Sequence, residues 1–207
     1  MKSVPCLLVA GVLALSACNV IPAPQEDPTR YFVLTDPPAP PSAQPVPTEA
    51  ARYRVGLRKI QTAQFLQAPE MVVRRGANEI ELSEYNRWGE TLDAGLGRIL
   101  HEELAAAPQV SEAVSQPFSL SNPPEFEISV NVLHCEGSAG GEEGRAARFE
   151  AVVEIYSLGT EPRLLVRKVF SAPPVEWDGH SYGQLAGDLS QDVAELGRQI
   201  IAALPAR

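Results

Sequence analysis

Phe126-Glu-Ile-Ser-Val-Asn-Val132, in the stretch Glu125 to Cys135, and Phe149-Glu-Ala-Val-Val-Glu-Ile155, in the stretch Arg145 to Ser157, decide the fold. In the first, Phe126, Ile128, Val130 and Val132 alternate with Glu127, Ser129 and Asn131. In the second, Phe149, Ala151, Val153 and Ile155 alternate with Arg148, Glu150 and Glu154. A period of two with one apolar and one polar side is the pattern of a half-buried antiparallel strand. The two stretches are expected to form a long hairpin, joined by a glycine-rich acidic loop from Glu136 to Gly144. That loop has no helix start after it and its carboxylates would repel anions, so it is not read as a phosphate cradle.

Working outward, Arg163 to Ser171 follows a turn at Gly159 to Pro162 and supplies a third long strand. Upstream, Tyr53, Val55 and Leu57 alternate within Arg52 to Lys59. Met71 to Arg75 and Glu79 to Ser83 read as a hairpin across Gly76, Ala77 and Asn78. The period changes twice. Leu92, Leu96, Ile99, Leu100, Leu104 and Ala107 recur at helical spacing within Gly89 to Ala107, and Pro108 stops the run. Leu185, Leu189, Val193, Leu196, Ile200 and Leu204 do the same within Ser181 to Leu204, where Ser181 and Gln184 form a capping-box pattern. The expected class is therefore α+β: a mostly antiparallel β-sheet with two amphipathic helices packed on one face.

The N-terminus belongs to a different kind of chain. Lys2 precedes the apolar run Val4 to Leu15, which suits the h-region of a secretion signal and is too short to span a bilayer. Leu15-Ser16-Ala17-Cys18 resembles a bacterial lipobox, in which the thiol takes up a diacylglyceryl group and becomes residue one of the mature protein. The competing reading is a plain secretory signal that happens to end in cysteine. Residues 1–17 are thus a signal peptide, 18–50 a proline-rich tether, and 51–207 the globular domain. Between Pro22 and Pro47 stand nine prolines, interrupted by Tyr31, Phe32, Val33 and Leu34. Those four are expected to dock on the body as a short edge strand.

The 207 residues carry a net charge of −9. Duplex nucleic acid, which is held by clustered Lys and Arg, is an unsuitable partner. His101, His134 and His180 lack metal-ligand spacing, and Glu102-Glu103 and Glu142-Glu143 read as solvated faces. No nucleophile elbow, Walker loop or dinucleotide fingerprint occurs, so neither catalysis nor a cofactor is expected beyond the covalent lipid on Cys18. Once the signal is removed with Cys6, Cys135 is the remaining free thiol, read as a buried strand-end residue.

Three blocks carry a family resemblance: Tyr31 to Leu34, Val55 to Arg74 with its Phe65-Leu-Gln-Ala-Pro-Glu-Met-Val-Val core, and Leu82 to Leu100, most specific from Glu84 on. They resemble the ABC-type transport auxiliary lipoprotein family of PqiC-like proteins. The resemblance implies a periplasmic lipoprotein, usually on the outer membrane of Gram-negative bacteria. It also implies work beside an MCE-domain channel protein and its inner-membrane permease in intermembrane lipid transport, and self-association into a homo-oligomer. Asn19 after the lipidated cysteine agrees with outer-membrane sorting. For Tyr85, Arg87 and Trp88, packing and helix capping compete with direct partner contact. For Tyr31, Phe32 and Leu34, strand docking competes with binding a partner or an acyl chain. A structural assembly or scaffold lipoprotein is the alternative function.

Overall fold

A computed structural model describes residues 26–36, 53–140 and 144–205. The signal peptide, Cys18 and most of the proline-rich tether lie outside them. In chain order the strands are β1 (Arg30–Phe32), β2 (Tyr53–Leu57), β3 (Gln61–Thr62), β4 (Glu70–Arg74), β5 (Ile80–Trp88), β6 (Val110–Ser115), β7 (Phe126–Ala139), β8 (Arg145–Ser157), β9 (Arg163–Ser171) and β10 (Val175–Glu176). The helices are α1 (Leu92–Ala106) and α2 (Tyr182–Ala203), with a 3-10 turn at Gln64–Gln67. The α+β class is as the periodicities predict.

The β7–β8 hairpin is the spine. β8 pairs antiparallel with β7 along its length and carries β9 and β10 on its other edge. On the free edge of β7, three short strands line up in succession, all parallel to it: β2 beside Val55↔Phe126, β3 beside Gln61↔Asn131, and β4 beside Val73↔Gly137. β6 extends the sheet past β2, and β5 and β1 extend it past β4. Antiparallel pairing dominates, but the parallel ladders make the sheet mixed. No periodicity of a two- or five-residue strand announces them.

A bulge between Val132 and His134 shifts the register of β7. One extra residue reverses which parity faces the core. Ile128, Val130 and Val132 are buried before the bulge and Cys135 after it, together with Phe149, Ala151 and Ile155 of β8. Against this face pack α1, through Leu96, Ile99, Leu100 and Leu104, and α2, through Leu185, Leu189, Val193, Leu196 and Ile200.

Two local expectations need correction. Glu136 to Ala139 are strand, not loop. Gly137 is there because the Trp177 ring lies on it: a Cβ would come within 2.5 Å of that ring. Gly137→Ala is therefore expected to destabilise the fold by about 1–3 kcal/mol through overpacking, read as a lower urea midpoint. The capping box is also absent. Ser181 Oγ donates to Asp178 Oδ2 at 2.6 Å, and Gln184 Nε2 donates to the Glu176 carbonyl. Asp178 organises the turn instead, accepting the amides of His180 and Ser181 at 2.7 Å. These donors, with the Ser181 hydroxyl foremost, hold its carboxyl down at about 2.

Candidate functional site

The two blocks singled out separately in the sequence meet. β1 lies parallel to β5 with Arg30↔Asn86, Tyr31↔Arg87 and Phe32↔Trp88 in register. The Gly89 amide donates to the Phe32 carbonyl at 2.7 Å, fastening the end of the ladder. Because paired residues share a face, Phe32 and Trp88 turn toward the core while Tyr31 and Arg87 turn away. Phe32 is half-buried, with its ring 6.4 Å from that of Tyr182, and Trp88 is buried. Trp88 ends β5 and donates its amide to the Pro69 carbonyl, so its role is packing at the strand end, not capping of α1.

Past β1 the chain is clasped by both helices. Leu34 is only 1% exposed. Its carbonyl accepts Arg98 Nη2 of α1 at 2.7 Å, and the same nitrogen donates to Glu90 Oε1 at 2.7 Å. One residue on, the Thr35 amide donates to Ser190 Oγ of α2 at 3.0 Å, and that hydroxyl donates to the Ala186 carbonyl. Residues 30–35 thus form a strap binding sheet edge, α1 and α2. Ser190 and Arg98 were not foreseen. A lone serine beside the apolar stripe of the last helix was the available signal for Ser190.

Tyr31 and Tyr85 stay exposed. Arg87 pairs with Glu70 at 3.3 Å. An open cleft of about 740 Å³ beside Arg58 to Thr62 and the start of α1 has its cations neutralised locally, Lys59 by Asp93 at 3.2 Å and Arg58 by Glu127 at 3.5 Å. Cys135 is buried, and burial, then the Glu136 carboxylate, pushes its thiol well above the ordinary range. Such a thiol is a poor nucleophile.

One carboxyl stands out electrostatically. Asp192 of α2 is 9% exposed and its Oδ2 is buried without a hydrogen-bond partner. Burial, and then the charge of Asp188 one turn earlier, raises it from 3.8 to about 7. The native state holds a proton that the unfolded chain has released. Its stabilising share is complete below pH 3.8 and is lost as pH rises toward 7. Asp192→Asn is expected to flatten that slope and to raise stability at pH 8 by roughly 2 kcal/mol, measured by urea unfolding across pH.

These features define an α+β module fastened through its own N-terminal segment. The same fold occurs in protein XCC0632 from Xanthomonas campestris, at TM-score 0.68 and 13% identity over 84% of this chain and 93% of that one. It occurs also in a solved uncharacterized protein, at TM-score 0.64 and 15% identity over 86% and 99%. No curated protein matches the chain. The family model of the ABC-type transport auxiliary lipoprotein component matches residues 32–201, and the chain belongs to that family. Membership makes it a lipoprotein accessory to an ABC-type transport system.

Proposed function

We propose that this chain is a periplasmic lipoprotein of the outer membrane. It is acylated at Cys18 and serves as the docking component of an MCE-type intermembrane lipid transport system. It carries no reaction of its own: its work is recognition of the channel protein and of further copies of itself. The strap supports this reading best. Residues 30–35, which begin twelve positions after Cys18, are clamped to β5, α1 and α2, so the folded domain is held within a short length of chain from its anchor.

Cys18→Ala is expected to leave a folded, water-soluble protein that fails to restore transport in a deletion strain. Full restoration by that variant would overturn the reading. Affinity purification from membranes supplies the second test. An MCE-domain protein and its permease are expected in the eluate; a β-barrel or peptidoglycan in their place would favour an assembly or scaffold role.

A further inference from the structure

We propose that the outward face of the β1–β5 ribbon is a lipid-contact surface, on which Tyr31, Val33, Ile80, Leu82 and Tyr85 rest against the bilayer that holds the anchor. The inference depends on the acylated Cys18 of the reading above and adds how the body sits on the membrane.

Among the described residues the exposed large apolar side chains are these five together with Leu120, Leu164, Val169 and Val175. The four others are distributed over a loop and the β9 and β10 end of the sheet. Tyr31, Ile80, Leu82 and Tyr85 share one ribbon, and Val33 directly follows its edge strand. Tyr31 is opposite Arg87 and Arg87 opposite Glu70, while Leu82 is opposite Val72 and Ile80 opposite Arg74; an irregularity in the β4–β5 register, which sets five positions of β5 against two of β4 between these pairs, brings both sets to one side. Tyr85 lies two positions before Arg87 on the same strand, and Val33 two after Tyr31. Clustered apolar surface of this kind marks a contact site, whereas isolated exposed residues need no explanation.

The direction of the tether selects the occupant. Since β1 runs parallel to β5, the residues before Arg30 return along β5 toward Tyr85 and Leu82. Asp27 lies near enough to both Arg87 and Tyr85 to interact electrostatically with each. From Glu26 back to Cys18 there are eight residues, a reach of roughly 28 Å even when fully extended. The acyl chains are therefore confined to within that reach of Glu26, close to the stretch of ribbon that carries Tyr85 and Leu82. Tethering turns a weak apolar contact into an intramolecular one at high effective concentration, so a small patch suffices. Tyrosines, with an apolar ring and a polar tip, suit the headgroup boundary.

Charge separates this occupant from a second copy. Glu26, Asp27, Glu79 and Glu84 lie along the ribbon and its lead-in, beside Arg30 and a Glu81 that is neutralised by Arg75 at 2.6 Å. In a two-fold contact of this patch with itself these carboxylates would meet their own kind, so copies of the chain meet through other surfaces. Neutral headgroups impose no such repulsion.

The full acylated chain can be tested in vesicles of phosphatidylcholine and phosphatidylethanolamine. Tyr31→Cys, Leu82→Cys and, as a distant control, Val169→Cys are each labelled with a polarity-sensitive fluorophore; buried Cys135 does not compete. Labels at 31 and 82 are expected to shift to the blue and to be quenched by nitroxide lipids several-fold more than the label at 169. Replacing the neutral lipids with phosphatidylglycerol is expected to reduce that quenching. Equal quenching at all three positions, or a blue shift in detergent that grows with protein concentration, would overturn the surface, the latter in favour of a second copy. Mass spectrometry of Cys18 in the same sample separates the two ideas. An unmodified thiol defeats the anchored reading and the surface with it, while an acylated Cys18 beside water-exposed labels defeats the surface alone.

Discussion

Glu136→Ala is expected to destabilise the protein by about 3–5 kcal/mol, the loss typical of removing one partner from a buried ion pair. The Glu136 side chain is wholly buried. Its Oε1 accepts Arg74 Nε at 2.8 Å and lies 2.8 Å from His134 Nδ1, and its Oε2 accepts the Cys135 amide at 2.9 Å. Arg74 is itself mostly buried and lies over the Phe65 ring at 5.3 Å. Without the carboxylate, that guanidinium is left in a poorly hydrated place with no counter-charge, and the Cys135 amide loses its acceptor. Glu136→Gln keeps the shape and a carbonyl oxygen, so its loss should be smaller than that of alanine. Urea unfolding of the two variants checks the order. A loss below about 1 kcal/mol for alanine would mean that water reaches Arg74 freely.

Leu34→Ala is expected to cost about 2–5 kcal/mol, the range for deleting a buried leucine whose site cannot collapse. Its effect should be concentrated in the strap. Hydrogen exchange at the Gly89 and Thr35 amides, which bond to Phe32 and Ser190, should quicken more than at the β7–β8 ladder. Tyr31→Ala, at an exposed position of the same strand, should change stability by no more than about 0.5 kcal/mol. If both variants behave alike, residues 30–35 are not clamped as described.

The contrast between these residues shows what could be read beforehand. Phe126 to Val132 and Phe149 to Ile155 face one side of a sheet, so their alternation survives into the structure. Gly137 and Ser138 looked like loop because composition does not show that a tryptophan forty positions later needs the space above a glycine. Tyr31 to Leu34 and Tyr85 to Trp88 each stood out as aromatic blocks. Their mutual register did not, because pairing between distant segments depends on the rest of the sheet and not on local period. The clasp of Arg98 and Ser190 was hidden for the same reason. Its hydrogen bonds go to backbone atoms, which every residue possesses.

The parallel docking of β1 also determines how the domain answers a mechanical pull. Tension applied from the N-terminal side enters at the start of β1 and, when directed along β5, stresses together in shear the bonds of the β1–β5 ladder, from the Arg30–Asn86 pair to the Gly89 amide on the Phe32 carbonyl. Behind them stands the Leu34 knot, held from two helices, as a second stop. With the anchor proposed at Cys18, a membrane drawn away from the transport system would load this ladder and the Leu34 knot first, while the β7–β8 spine stays out of the line of force.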